Sequence, residues 1–322
     1  MYVVSANHKV SSWETLARLS ERVPEVEARI HADGDQPVVT IATCNRIEIY
    51  GDGAADAPTL ARVIEIFSEV LDVPEAELFE QLFVATGVDA IEHLHRMTSG
   101  LESIAVGESE VGGQVRKAYT TSIQQGRISP RLRRAFDDAL RVNRDLRRLE
   151  PHRDTNLVAL SLDLIPDADR LERVLVIGTG EFASIVHQRM HQFGVLEHWN
   201  YSTSGRRITL PFPSHRVEPQ DLLRTLGDVD IVIAATGASE PVITKTMVDA
   251  LVAQGGRVPV LVDLAVTQDI DPAIDAEHTV VRLEHLARNR PSSASETHEK
   301  YVRMRAELLV HRMEVSSEAT AS

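Results

Sequence analysis

Residues 174–183, VLVIGTGEFA, decide the fold of the second half of the chain. An apolar, β-branched run of strand length leads into the G-x-G-x-x-A form of the dinucleotide fingerprint, and a helical pattern follows. The fingerprint comprises Gly178, Thr179, Gly180, Glu181, Phe182 and Ala183. In this pattern the first glycine makes a tight turn, the second admits a pyrophosphate at the helix N-terminus, and the alanine permits close helix–sheet packing. A purely structural turn is the alternative, and the strand–turn–helix context favours cofactor binding.

Around the fingerprint, strand and helix patterns alternate from residue 173 to residue 264, which predicts a parallel, doubly wound Rossmann-type sheet. An NAD-specific site would carry an acid after the second strand, but residues 202–207, STSGRR, contain none. Ser204, Arg206 and Arg207 could instead hold a 2′-phosphate, so we predict NADPH, with a solvated turn as the alternative. Thr236 and Gly237 follow a later strand, where they would leave room for the nicotinamide ribose or simply form a strand-to-loop turn.

The first 110 residues carry strand patterns at 1–6, 38–42, 47–50, 82–85 and 103–106, with helical patterns between them. This order predicts a split βαβ, ferredoxin-like sandwich. We therefore expect three segments: a domain at 1–150 with a basic helical extension, a cofactor domain at 151–285, and a short C-terminal helix and tail at 286–322.

Composition narrows the class of protein. The chain has 322 residues, of which 43% are hydrophobic and 25% charged, which excludes a disordered or fibrous protein. No apolar run has the length of a membrane helix, so we expect a soluble, cytoplasmic protein that does not bind membranes. The single cysteine excludes an intramolecular disulfide, and we expect no metal site.

The formal net charge of −14 conceals a basic strip. Residues 116–153 contain eleven Lys or Arg against four acids, a local charge of +7. Such asymmetry suggests a local acidic partner, while a solvated helical face with intrahelical ion pairs is the alternative.

Three further features could carry chemistry. Cys44 lies in a polar turn between two strands, where a thiol is either a nucleophile helped by the nearby Arg46 or a small buried hydrophobe. His93 lies on a predicted helix, where a lone histidine is more often structural than catalytic. Ser103, Glu108 and Gln114 flank a glycine-containing turn and by themselves are ordinary polar residues.

Taken together, these stretches resemble glutamyl-tRNA reductase. The resemblance covers residues 1–285 and rests on NHK (7–9), TCNRIEIY (43–50), HLHRMTSGLESIAVGESEVGGQVRKAY (93–119), VLVIGTGEFA (174–183), ATGASEPVI (235–243) and VLVDLAVTQDIDPAI (260–274). It implies an enzyme that reduces the glutamyl ester of tRNA(Glu) with NADPH to glutamate-1-semialdehyde, through a thioester. The downstream aminomutase is then a candidate partner.

Residue by residue, the resemblance implies that Cys44 is the nucleophile and that His93 polarises the carbonyl or assists proton transfer. It implies that the glutamyl group is held by Thr43, Asn45, Arg46, Glu48, Ser103, Glu108, Glu110 and Gln114. Phosphate contacts of the tRNA would then use the basic strip.

Several departures bear on these expectations. Glu110 stands where the family commonly has Gln, and Ser109 stands where Pro is common. Only 36 residues follow Leu286, whereas the family usually continues through a long helix into a dimerisation domain, so the usual dimer is in doubt. Two alternatives therefore stay open: a divergent paralogue that binds tRNA, a tetrapyrrole or a partner enzyme with little turnover, and a dehydrogenase of another substrate.

Overall fold

A computed structural model describes residues 1–32, 37–43, 45–53, 58–108, 110–149, 156–289 and 296–321. The chain divides into two compact units. One combines Met1–Asn156 with Arg290–Ser322, and the other is Leu157–Asn289. Of the C-terminal segment predicted at 286–322, residues 290–322 thus group with the first unit and residues 286–289 with the second.

The first unit opens with a four-stranded antiparallel sheet and the helices around it. In chain order its elements are β1 (Tyr2–Asn7), α1 (Trp13–Glu21), α2 (Val23–Ala32), β2 (Val38–Thr43), β3 (Arg46–Gly51), α3 (Pro58–Leu71), α4 (Glu75–Phe79), β4 (Phe83–Thr86), α5 (Gly87–Thr98), α6 (Glu110–Gln124) and α7 (Pro130–Leu149). The strand order β2-β3-β1-β4 confirms the predicted split βαβ arrangement. Val4 of β1 lies opposite Ile49 of β3 and Val84 of β4, so β1 is paired along both edges, and all six of its residues are buried.

The strand predicted at 103–106 is wrong. Gly100 and Gly107 both adopt positive φ, at 74° and 83°, and the Gly107 N–H donates to the Gly100 carbonyl at 3.0 Å. These glycines close a compact turn between α5 and α6. Ile104 and Ala105 are fully buried in that turn, which explains why the segment has the apolar character of a strand.

The second unit is a six-stranded parallel sheet with helices. Its elements are α8 (Leu157–Asp163), β5 (Arg173–Ile177), α9 (Glu181–Phe193), β6 (Glu197–Tyr201), β7 (His215–Arg216), α10 (Leu222–Asp228), β8 (Ile231–Ala234), α11 (Lys245–Ala253), β9 (Val260–Asp263), β10 (Val280–Arg282) and α12 (Leu283–Arg288). The strand order β10-β9-β8-β5-β6-β7 is that of a Rossmann sheet, as predicted. The chain reverses direction of travel across the sheet between β5 and β8, and ligands bind at the carboxyl ends of strands at such a point.

Helix α13 (Glu296–Ala321) completes the first unit. Val302 and Ala306 are fully buried, and Arg303 donates to Asp89 and Glu92 of α5 at 2.7 and 2.6 Å. The helix therefore packs as part of the first unit's core because its apolar and charged side chains both find partners there. Across the described residues, no helix combines the length and the apolar character that crossing a membrane requires.

Candidate functional site

The carboxyl edge of the parallel sheet is built largely from backbone. Gly178 follows β5 with φ of 127°, and its N–H donates to the Tyr201 carbonyl at 2.9 Å. A Cβ at this position would lie 2.7 Å from the carbonyl oxygen of Ala235, at the end of β8. Because the conformation and the space both exclude a side chain, glycine is required here by the protein itself.

Gly180 has a different environment. It caps the N-terminus of α9, is exposed, and would meet nothing within 4 Å if it carried a Cβ. The space beside Gly180 at the N-terminus of α9 is therefore open, and a helix N-terminus suits a diphosphate. Ala183 is fully buried, Phe182 is half-buried and Glu181 is exposed, as the fingerprint predicts for a helix packed closely on the sheet.

Hydroxyl groups connect the loops that follow β5 and β6. Thr179 Oγ1 lies 3.3 Å from Ser202 Oγ, which lies 3.2 Å from Ser204 Oγ. Arg206 and Arg207 are exposed on the same loop, which carries no acid. Donors without a carboxylate fit a ribose 2′-phosphate better than a 2′-hydroxyl.

The loop after β8 is held by an aspartate that the sequence did not single out. The Thr236 N–H and hydroxyl donate to Asp269 at 2.7 and 2.5 Å. Burial raises the pKa of Asp269 above its ordinary value, and the two hydrogen bonds from Thr236 oppose that rise. Thr236 is thereby fixed, and the exposed Gly237 beside it leaves space at this edge.

In the first unit, the predicted site residues converge on a buried carboxylate. Glu48 of β3 is completely buried, and its Oε1 accepts from Ser5 at 3.1 Å and from Arg46 at 3.1 Å, and lies 3.0 Å from His93 Nε2. Its Oε2 accepts from the Tyr50 hydroxyl at 2.5 Å. Glu48 therefore joins β1, β3 and α5, and positions Arg46 and His93.

Electrostatics keep this buried carboxyl ionised. Burial alone would raise the pKa of Glu48, but His93, Arg46 and the Tyr50 hydroxyl together hold it well below its ordinary value. Conversely, burial and the charge of Glu48 raise the pKa of Tyr50. His93 also lies against Phe83, with ring centroids 4.5 Å apart, so both its face and its Nε2 are fixed.

The residues on either side of Cys44 are ordered around this cluster. Thr43 Oγ1 lies 3.2 Å from Asn45 Oδ1, and the Arg46 Nη2 donates to the Glu102 carbonyl at 2.5 Å. Asn45 and Arg46 are both nearly completely buried. Cys44 itself lies outside the described residues, so its thiol has no structural description.

A pocket of about 270 Å³ opens beside His93. Its charged lining includes Lys9, Arg96 and Glu102, and Glu102 accepts from both Lys9 and Arg96. Burial would raise the pKa of Glu102, but the two cations lower it to about 2. The sequence patterns do not mark these three residues as site residues, although all of them fall within the motifs at 7–9 and 93–119.

The turn between α5 and α6 brings a second carboxyl toward Arg46. Burial raises the pKa of Glu108 to about 7, opposed by the Ser103 hydrogen bond and reinforced by Glu110, with Arg46 lowering it. Gln114 is half-buried one helical turn beyond Glu110 on α6. Where side chains are described, no group of three or more His, Cys, Asp or Glu is arranged to hold a metal ion.

Comparison with known protein families gives a match for each unit. Residues 4–149 match the family described as Glutamyl-tRNAGlu reductase, N-terminal domain. Residues 165–287 match the family described as Shikimate / quinate 5-dehydrogenase.

Three similar proteins are glutamyl-tRNA reductases. The glutamyl-tRNA reductase of Kocuria rhizophila is 31% identical over 313 residues, which cover 93% of this chain and 70% of the relative. That of Tropheryma whipplei is 29% identical, covering 84% of this chain and 68% of the relative. Among solved structures, the glutamyl-tRNA reductase from Methanopyrus kandleri is 24% identical with a TM-score of 0.46, covering 99% of this chain and 80% of that one. The chain thus spans about two thirds of the length of these two bacterial relatives.

Proposed function

Because this chain belongs to the glutamyl-tRNA reductase family, we propose that it reduces the glutamyl ester of tRNA(Glu) to glutamate-1-semialdehyde, the entry to C5 tetrapyrrole biosynthesis. The observation that carries the proposal is the buried Glu48 cluster, which orients His93 and Arg46. Arg46 is two residues from Cys44 in the sequence. A nucleophile beside oriented polar groups is the arrangement that acyl transfer requires.

The cofactor is NADPH, held at the carboxyl edge of the parallel sheet. The amides at Gly180 and the start of α9 bind the diphosphate, and Ser204, Arg206 and Arg207 bind the 2′-phosphate. When bound, NADPH supplies the hydride that reduces the thioester to the aldehyde. The open space at Gly180 and the acid-free loop after β6 are the features that fit it.

The chemistry begins at the thiolate of Cys44. Its sulfur attacks the carbonyl carbon of the glutamyl ester, the bond to the ribose oxygen of the tRNA breaks, and the thioester forms. The departing oxygen takes a proton, a transfer that His93 assists. Glu48 keeps the imidazole in one orientation, and so acts as a positioning residue.

Substrate binding uses the groups that flank Cys44. A guanidinium has five N–H donors, and in Arg46 three of them are directed at Glu48, the Glu102 carbonyl and Asn45. The remaining two are suited to the side-chain carboxylate of the glutamyl group. Thr43 and Asn45 hold the same group. The turn before α6 and the N-terminal part of α6 delimit the site with Ser103, Glu108, Glu110 and Gln114.

The test supplies the purified chain with labelled glutamyl-tRNA and NADPH and measures semialdehyde. Without NADPH, the protein should accumulate a hydroxylamine-sensitive glutamyl adduct. Cys44→Ser should abolish the adduct and lower turnover by roughly 10³-fold or more while NADPH affinity stays unchanged. Undiminished turnover in Cys44→Ser would refute the nucleophile, and a parent protein that binds tRNA without forming semialdehyde would refute the reductase function.

A further inference from the structure

One face of α7 carries a row of arginines. Arg133, Arg134, Arg141, Arg144 and Arg148 are all exposed. At 3.6 residues per turn they lie within about 100° of one another, opposite the face that buries Leu132, Ala135, Phe136, Ala139, Val142 and Leu146. From Arg133 to Arg148 the row is about 22 Å long. We call these five residues the arginine stripe.

The acids of α7 make their shortest hydrogen bonds to groups outside the stripe, although the exposed Asp137 lies within the arc of the stripe. Asp137 accepts from the Tyr119 hydroxyl at 2.8 Å. Asp138 is buried and accepts from Arg305 of α13 at 2.5 Å. Asp145 accepts from the Tyr301 hydroxyl at 3.0 Å and from Arg305 at 3.3 Å.

This pairing decides between the two interpretations of the basic strip. If α7 were a solvated face with internal ion pairs, its acids would neutralise its own arginines. Instead, Arg305 from a distant part of the chain neutralises Asp138 and Asp145, and Arg141 reaches only the already paired Asp138, at 3.5 Å. Helix α13 thereby leaves the stripe with a net positive charge.

An exposed row of guanidinium groups with this length and charge matches a nucleic-acid backbone, because Arg binds phosphate bidentately and a row can follow successive phosphates. We propose that the arginine stripe is the surface on which the phosphate backbone of the tRNA docks. The inference rests on the proposed function for the identity of the RNA. It predicts binding that is independent of the attached amino acid, since phosphate contacts position the RNA and do not read the glutamyl group.

The test compares two triple variants of the full chain. Arg134→Gln, Arg144→Gln and Arg148→Gln remove three charges from the stripe. Arg22→Gln, Arg29→Gln and Arg62→Gln remove three charges from α2, α3 and the residue between α1 and α2, where each arginine contacts a glutamate. Thermal unfolding of both variants verifies folding, and the probe is uncharged tRNA(Glu) transcript titrated at several salt concentrations.

The stripe variant should bind the transcript about 10-fold or more weakly, with the slope of log affinity against log salt smaller by about 2, while the control keeps the parent's affinity and slope. If the two variants bound the transcript with equal affinity, the arginine stripe would not be the docking surface, whatever the reductase assay gives. If the parent binds the transcript through the stripe yet forms no semialdehyde, the docking surface stands and the proposed reaction fails. Loss of binding to an acidic polypeptide, with tRNA binding intact, would also overturn the proposal.

Discussion

The two units build their sites from opposite materials. The edge of the parallel sheet uses glycines, backbone amides and hydroxyls, and is open. The Glu48 cluster uses polar side chains from β1, β3 and α5, including the Glu48–Arg46 ion pair, that are nearly completely buried. A substitution at a ligand-facing group of the open edge should change the free energy of unfolding little. The Glu48 cluster belongs to both the site and the core, so a substitution there should lower the free energy of unfolding of the whole unit.

The strongest way to break this contrast is Glu48→Gln. It leaves the Arg46 guanidinium buried without its carboxylate, and we expect unfolding free energy to fall by about 3–5 kcal/mol in denaturant titrations. Glu69→Gln is the control, because that carboxylate makes its ion pairs with Arg29 and Arg62 at the surface and should change little. A Glu48→Gln protein as stable as the control would mean that the cluster is not part of the core.

The next test separates two glycines of one motif. Gly178→Ala places a methyl against the Ala235 carbonyl in a left-handed conformation, which should lower stability by about 1–3 kcal/mol. Gly180→Ala meets nothing in the protein and should leave the melting temperature unchanged, while weakening NADPH binding by filling the space at the helix N-terminus. Calorimetric melting and cofactor titration measure both, and equal melting losses would contradict the assignment.

Cofactor choice gives a smaller effect. Changing Arg206 and Arg207 to Gln should weaken NADPH binding by roughly 10-fold through loss of charge-assisted hydrogen bonds, and should leave NADH binding unchanged. Fluorescence titration with both cofactors measures the ratio. Arg224→Gln with Arg257→Gln, exposed on the same unit, is the control. If the variant lost the same factor in affinity for NADPH and for NADH, Arg206 and Arg207 would not be binding the 2′-phosphate.

The last test concerns Glu108, whose raised pKa of about 7 contrasts with the lowered pKa of Glu48. A carboxyl group whose pKa is raised by folding contributes stability at a pH below its pKa in the unfolded chain. That contribution is lost as the pH rises through its folded pKa of about 7. Glu108→Gln stays neutral, so its stability relative to the parent should rise between about pH 5 and about pH 8. Denaturant midpoints at both values measure it, and exposed Glu21→Gln serves as control. A difference independent of pH would contradict the raised pKa.

How well the sequence predicted each region follows from how local its interactions are. The turn after β5 and the start of α9 can be predicted from the sequence because the turn, the helix start and the close packing are encoded within ten consecutive residues. The fold class of both units and the family resemblance are confirmed. The roles assigned to Cys44, His93 and their neighbours stay predictions.

The rest depends on contacts between distant residues. His93 and Glu48 are 45 residues apart, and Lys9 and Glu102 are 93 apart, so no local pattern pairs them. The apolar stretch at 103–106 has the composition of a strand, but the glycines at its ends select a turn. Helix α13 pairs with acids of α5 and α7 that are 160 to 214 residues away in the sequence, so no local pattern places it.

Because helix α13 follows the second unit in the sequence, the first unit cannot complete its core until α13 has been synthesised. Residue Ala306, which is buried in the first unit's core, is separated from the end of α7 at Leu149 by 157 residues. At roughly 5–20 residues per second, a ribosome needs roughly 8–30 s to cover that distance. During that interval the parallel-sheet unit can fold, while the apolar side chains of α5 and α7 that pack against α13 remain exposed to solvent. Synthesis of the first unit thus starts before that of the parallel-sheet unit and ends after it, so its apolar surface stays exposed for longer.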